Sequence, residues 1–199
     1  MQPRISIITI CYNAASTISR TLRSVSAQTY PNIQYLIIDG ASKDNTLELV
    51  RELAPEAEIY SERDKGIYDA MNKGLDRATG DYVWYVNAGD ALASPTTVED
   101  LIRATCTGDS LPDVLYGDTR LIDAEDHDLG LRRLRPPHQL DWRSFRAGML
   151  VCHQAFVAKR SISPHYDLRY RFSADVDWCI RVLKEAKTTA FYPEPIALY

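Results

Sequence analysis

Apolar positions along the chain switch repeatedly between two periods. Ile5 to Ile10 is β-branched at almost every position, as a strand buried on both faces of a parallel sheet requires. Ile18, Leu22 and Val25 then fall at helical spacing, after a polar loop in which Ser16 is placed to cap the helix. The change of period recurs. Gln34 to Ile38 predicts a second strand, and Leu47, Leu49, Val50 and Leu53 predict a second helix capped by Asp44. Glu58 to Ser61 predicts a short third strand. Ile67, Met71, Gly74 and Ala78 predict a third helix, stopped by Gly80 before a buried fourth strand over Tyr82 to Val86. Strands and helices alternating at this spacing predict an α/β fold, a mostly parallel sheet flanked by helices.

Beyond Asp90 the pattern loosens. Pro95-Thr96-Thr97 opens a helix through Val98, Leu101 and Ile102, and Val114 to Gly117 predicts a strand that a turn joins to a second one over Asp118 to Ile122. Asp123 to Asp128 reads as a polar turn with solvated acids. From Leu129 to Met149, Arg132, Arg133, Arg135, Arg143 and Arg146 interleave with Leu131, Leu134, Trp142 and Phe145, and no regular element is predicted. Gln154 to Ala158 predicts a strand. Val176, Cys179, Ile180 and Leu183 predict a helix over Ser173 to Ala186, capped by Ser173. Thr188 to Tyr192 predicts a last core strand, broken by Pro193-Glu194-Pro195, and Trp84 and Trp178 read as core. The whole reads as one domain over residues 1–199, regular over 1–90 and smaller and mixed over 91–199.

Composition narrows the function. With 45% hydrophobic and 25% charged residues the chain is an ordinary globular one, and its net charge of −4 argues against a nucleic-acid partner. Cys11, Cys106, Cys152 and Cys179 form no CxxC pair, so free thiols are expected. The run in MQPRISIITICYN is too short for a membrane span and lacks the features of a signal peptide, which makes a cytoplasmic location the expectation. No GxGxxG follows the first strand and no GxxxxGK[ST] occurs. Acids stand instead just beyond strand ends, at Asp39, Asp64 and Asp90, and parallel connections bring them to one sheet edge, where open α/β sheets bind ligands. A ligand with a base, a ribose, a diphosphate and a sugar suits them. Asp39 is placed to accept the imide N–H of uracil or thymine, or the corresponding N–H of guanine, and Asp90 to share a hard divalent cation with the diphosphate.

The segments ISIITICYNAASTISRTLRSVSAQTYPNIQYLIIDGASKDNT and SERDKGIYDAMNKGLDRATGDYVWYVNAGD, with CHQAFV and SADVDWCIRVL, resemble the inverting glycosyltransferases of family 2. The resemblance implies a single-domain GT-A (Rossmann-like) fold, with residues 1–90 the nucleotide-sugar-binding half and 91–199 the acceptor-side half. It implies Thr9, Tyr12, Asp39, Asp64 and Asn87 as nucleotide-sugar contacts, Asp90 as the ligand of Mg or Mn, and Asp175 as general base. The donor would be a UDP or dTDP sugar, or a GDP sugar, and the acceptor a saccharide or lipid-linked hydroxyl in cell-surface polysaccharide or glycolipid assembly. Two departures stand out: Asn87-Ala88-Gly89-Asp90 keeps one acid where many members have three, and the chain stops soon after Pro195 where many continue. They motivate a second reading, a sugar-nucleotide-binding module with weak or no turnover. A nucleotidyltransferase would want a basic glycine-rich loop where Cys11 to Ala15 stands.

By its position alone, Asp175 reads as a carboxylate favoured by the helix dipole, and His153 as structural. The resemblance makes Asp175 the base and raises His153, through CHQ, to an acceptor-side or diphosphate-side candidate. Asp177, two residues on at roughly 100° per residue, points about 200° away and cannot share the role. The arginine-rich stretch reads equally as a solvated basic face and as a contact with the inner face of a membrane.

Overall fold

The computed structural model describes residues 2–108 and 111–199. The predicted alternation is realised as β1 (Ile5–Cys11), α1 (Ile18–Ser26), β2 (Ile33–Asp39), α2 (Thr46–Leu53), β3 (Glu58–Ser61), α3 (Ile67–Arg77) and β4 (Tyr82–Tyr85). There follow β5 (Ala91–Leu92), α4 (Thr97–Thr105), β6 (Val114–Ile122), β7 (Asp128–Leu131), β8 (Phe156–Lys159), α5 (Ala174–Glu185) and β9 (Thr189–Leu198). The strands form one sheet in the order β3-β2-β1-β4-β8-β6-β9-β5, with β7 paired to β6. β1 to β4 run parallel, whereas β8 is antiparallel to both β4 and β6. The fold is thus α/β, parallel over β1 to β4 and mixed over β5 to β9. β1 and β4 are buried throughout, and Gly74 lets α3 lie against β1 and β2: a Cβ there would come within 2.5 Å of the Ile8 side chain and 3.2 Å of Ile38.

One cross-strand rung organises the edge where the parallel strands end. Cys11, Asp39 and Ser61 are register partners on β1, β2 and β3. Asp39 is fully buried; it accepts from the Ser61 hydroxyl at 2.6 Å, the Ser42 amide at 3.0 Å and the Ser42 hydroxyl, with the Cys11 thiol at 3.7 Å. From Ser42 the network reaches the β1–α1 loop. Ser42 Oγ accepts from the Asn13 amide at 2.8 Å, Asn13 Oδ1 from the Lys43 amide at 2.8 Å, Asp44 from the Ala15 amide at 3.0 Å and Thr46 Oγ1 from the Ala14 amide at 2.8 Å. Two loops that would otherwise carry unpaired backbone groups are tied to one another.

Several predicted boundaries are corrected. β6 is one strand where two joined by a turn were expected: Gly117 continues it because a Cβ there would come within 2.9 Å of Ile196 on the neighbouring β9. β9 runs through Pro193 and Pro195. Its register to β6 jumps from Tyr116↔Phe191 to Asp118↔Pro195, a bulge in which prolines need no ladder bond. Gln154 belongs to a 3-10 turn over His153–Ala155 that precedes β8. Neither Ser16 nor Ser173 caps a helix by its side chain; α1 starts after Thr17, and Ser173 sits in the left-handed region with φ 61°. The arginine-rich stretch holds β7 and a 3-10 turn over Trp142–Ala147, and its charges diverge. Arg135 pairs with the buried Asp118, Arg132 turns inward, and Arg143 and Arg146 lie over the Trp142 ring.

Asp39→Ala should cost the fold about 3 kcal/mol, because it leaves the hydroxyls and amide that converge on the carboxylate without an acceptor in a buried position. Urea unfolding of the two proteins measures this; equal midpoints would show that the rung is not a structural tie.

Candidate active site

The tied loops form one wall of a cleft along the carboxyl ends of β1 to β4. Its larger part, a cavity of about 520 Å³, is lined by Tyr12, Asn13, Ala14, Asp64, Ile67 and Asn87, among others. Tyr12 is 61% exposed, so its ring is open to a ligand, and it also borders a recess formed with Gly40, Lys43, Arg63 and Asp64. Asp64 Oδ1 accepts from the Gly66 amide at 2.9 Å, which fixes the turn into α3. Its Oδ2 stands over Gly40, where a Cβ would come within 2.6 Å. A carboxylate oxygen free of the turn, an aromatic face and a side-chain-free backbone therefore meet at this end.

A smaller cavity of about 180 Å³ shares Ile67 and Asn87 with the first, and is closed by Tyr68, Arg132, His153, Gln154 and Asp175. Asp175 lies in the first turn of α5 and is half-buried, and its Oδ1 accepts from the Tyr68 hydroxyl at 3.3 Å. Asp177 points elsewhere and pairs with Arg181 at 2.7 Å, as the helical angle predicts. His153 is buried in an aromatic nest of Tyr85, Tyr166 and Trp178, with Nε2 at 2.6 Å from the Tyr166 hydroxyl. Burial pushes its pKa down to about 4 against an opposing pull from Asp175, so the imidazole is neutral at pH 7 and carries no charge toward a diphosphate.

Three expected contacts are corrected. Asp39 does not face the cleft, since the rung encloses its carboxylate; the next residue, Gly40, borders the recess instead. Thr9 is fully buried and bonded to the Val86 carbonyl at 2.7 Å and the Tyr35 hydroxyl at 3.2 Å. Asp90 is 7% exposed and lies behind the wall: Gln154 donates to its Oδ2 at 2.8 Å, and its backbone carbonyl accepts from Thr21 Oγ1 at 2.6 Å. Thr21 also accepts from the Gly89 amide at 3.0 Å, so α1 clamps the whole loop. Tyr12, Asp64, Asn87, His153 and Asp175 do line the cleft. Asn87 lines both cavities where they meet, with its Oδ1 buried and without a partner. Tyr68, Arg132 and Gln154 were missed as site residues. Tyr68 adjoins the loop at Asp64 and is the most findable of them; Arg132 reads from the sequence as part of a solvated basic face or of a membrane contact.

Among the described residues one group has metal-ligand proximity, Asp123, Glu125 and His127 on the β6–β7 turn. Asp123 there accepts from the Glu125 and His127 amides at 2.9 and 2.8 Å, the bonding of a turn. Among the described residues no helix is long and apolar enough to cross a membrane.

The model of the family described as glycosyl transferase family 2 matches residues 6–165. An uncharacterized glycosyltransferase of Mycobacterium tuberculosis is 34% identical over 185 residues, covering 90% of this chain and 68% of the relative. A PGL/p-HBAD biosynthesis glycosyltransferase of Mycobacterium bovis is 32% identical over 207 residues, covering 99% and 77%. Among solved structures, S. aureus TarS 1-349 in complex with UDP-GlcNAc superposes with a TM-score of 0.78 at 16% identity, over 98% of this chain and 58% of that one. The mannosyltransferase PcManGT of Pyrobaculum calidifontis, in complex with GDP-Man and Mn2+, gives 0.73 at 17%, over 100% and 57%. The chain thus spans less than two thirds of each of these two solved chains. Their likeness is one of fold, GT-A in both.

Burial pushes the Asp90 carboxyl up to about 6 from its ordinary 3.8, against the Gln154 and Asn87 hydrogen bonds. Between these values the folded chain holds a proton that the unfolded chain has released, so this group's contribution to stability falls as pH rises through the window. Asn keeps an acceptor for Gln154 without the charge. Asp90→Asn should therefore be more stable than the parent at pH 8, by up to about 3 kcal/mol, with the difference closing near pH 4. Chemical denaturation at the two pH values measures it; a variant less stable at pH 8 contradicts the burial argument.

Proposed function

Because the chain belongs to glycosyl transferase family 2, we propose that it is an inverting enzyme that moves a sugar from a nucleotide diphosphate sugar to an acceptor hydroxyl. The observation that carries this reading is the continuity of the cleft, with Tyr12 and Asp64 at one end and Asp175 at the other. The base would lie at the Tyr12–Gly40–Asp64 end. There Asp64 Oδ2 accepts the imide N–H of uracil or thymine, which favours a UDP or dTDP sugar, and a guanine N–H is a further match. The Asn87 side chain meets a ribose or sugar hydroxyl at the junction. Residues 1–90 then act as the nucleotide-sugar half, and 91–199 supply the acceptor side.

At the other end the acceptor oxygen attacks the anomeric carbon from the face opposite the diphosphate. Its proton passes to Asp175, and the bond to the diphosphate oxygen breaks with its electron pair on the leaving group, so the anomeric configuration inverts. Tyr68 orients Asp175 through one oxygen and leaves the other for the acceptor. Neutral His153 serves as a hydrogen-bonding wall on the acceptor side. The names of the mycobacterial relatives, and that of a putative teichuronic acid biosynthesis glycosyltransferase of Bacillus subtilis 34% identical over 93 residues, support a saccharide or lipid-linked acceptor in cell-surface assembly. A cytoplasmic enzyme of this kind would rest on the membrane through the exposed Arg133, Arg143 and Arg146. The second reading, a binding module without turnover, is favoured by the withdrawal of Asp90 from the cleft.

Donor hydrolysis or transfer by the purified chain separates the two readings. With turnover in hand, Asp175→Asn should lower its rate by at least about a hundredfold with donor affinity little changed, the expected loss of a general base. Asp177→Asn should alter stability more than rate. An Asp175→Asn enzyme that transfers at the parent rate would overturn the assignment.

A further inference from the structure

A divalent cation at the diphosphate, as the family resemblance implies, needs oxygen ligands that face the cleft, and for a hard ion a charged one above all. The loop Asn87 to Asp90 does not supply them. Gly89 has no side chain, and its φ of 105° suits the glycine that stands there. Asp90 is buried behind the wall with Gln154 on one oxygen. The loop's own buried oxygen without a partner, Asn87 Oδ1, belongs to a neutral amide. The carboxylates that do line the cleft are Asp64, at the nucleotide end, and Asp175, at the acceptor end. The residues present therefore do not fit the ion.

A departing diphosphate still needs its charge met, and one cation lines the smaller cavity. Arg132 follows β7 and lines the smaller cavity with Asn87, His153 and Asp175. It is half-buried, and its Nη2 donates to the Met149 carbonyl at 3.2 Å, the one hydrogen bond that its guanidinium makes among the described residues. None of the ion pairs in the described residues involves it. The other candidate, Arg20, is occupied: it pairs with Asp126 and donates to the carbonyls of Gly89, Asp123 and Ala124. Lys43 and Arg63 border the recess at the nucleotide end. A guanidinium with free N–H groups is suited to phosphate, because its planar fork donates two parallel bonds and its charge is permanent.

Resting on the donor reading above, we propose that Arg132 neutralises the diphosphate of the donor in this chain, and that binding and turnover proceed without a divalent cation. The proposal departs from the resemblance at one point of chemistry: the charge opposite the diphosphate is a side chain of the acceptor-side half. It also gives β7 and the segment around Met149 a role, since together they carry and orient the guanidinium.

Calorimetric titration of UDP, dTDP, GDP and uridine, in EDTA and in Mn2+, tests it. Expected is a nucleoside diphosphate that binds the parent chain equally in both. Arg132→Gln should weaken that diphosphate by about tenfold or more while leaving the corresponding nucleoside unaffected, and Arg132→Lys should recover part of the loss. Arg133→Gln, at an exposed neighbour, should change neither. Diphosphate binding that is lost in EDTA and restored by Mn2+ overturns the proposal and leaves the donor reading intact, even if Arg132→Gln does not fold. Diphosphate affinity unchanged in a folded Arg132→Gln overturns it as well. Binding of none of the diphosphates in either condition overturns both.

Discussion

A single buried carboxylate holds the binding edge of this molecule together. Asp39 sits in the rung Cys11–Asp39–Ser61, where three parallel strands end, and its oxygens are taken up by Ser42 and Ser61. A carboxylate withdrawn from water is costly unless such donors surround it. The requirement fixes Ser42, and through Ser42 the Asn13 amide, so the β1–α1 and β2–α2 loops cannot move independently. Tyr12 and Gly40, which border the recess at one end of the cleft, are neighbours in sequence of the residues so tied. The cleft is therefore preorganised by an interaction that lies outside its lining.

The same logic recurs on the other side of the cleft. Thr21, fully buried on α1, binds the Gly89 amide and the Asp90 carbonyl, and Gln154 holds the Asp90 side chain. What reaches the cavity is Asn87, whose amide oxygen is left without a partner. Charge is then distributed unevenly along the cleft: a carboxylate at each end, a neutral imidazole in the aromatic nest and a guanidinium in the lining of the smaller cavity. An inverting displacement asks for that order, with a base on the acceptor side and positive potential where the leaving group collects charge.

The parallel half was legible because a period of two followed by a period of 3.6 leaves little choice of topology, and parallel connections necessarily bring Asp39, Asp64 and Asp90 to one edge. Which of them faces solvent was not legible. At a strand end one residue decides the face, so Asp39 turns inward and Gly40 borders the recess. Asp90 turns inward because of Thr21 and Gln154, partners 69 and 64 residues away in sequence. In the second half, β6 and β9 run through a glycine and two prolines that normally end strands, since one long bulged pairing accommodates them. Arg132 was visible as charge, but its inward turn depends on the Met149 carbonyl, a contact no periodicity encodes.

On the function we propose, one continuous cleft takes the nucleotide at Tyr12 and Asp64 and directs the sugar toward Asp175. Amide hydrogen exchange with and without a saturating nucleotide sugar measures this most directly. Slowed exchange is expected at Asn13 and Ala14, at Gly66 and Ile67 and at Asn87 and Ala88, with the edge formed by β5 and β9 unchanged. Binding that leaves those three segments untouched, or that protects the β5–β9 edge in their place, would contradict it.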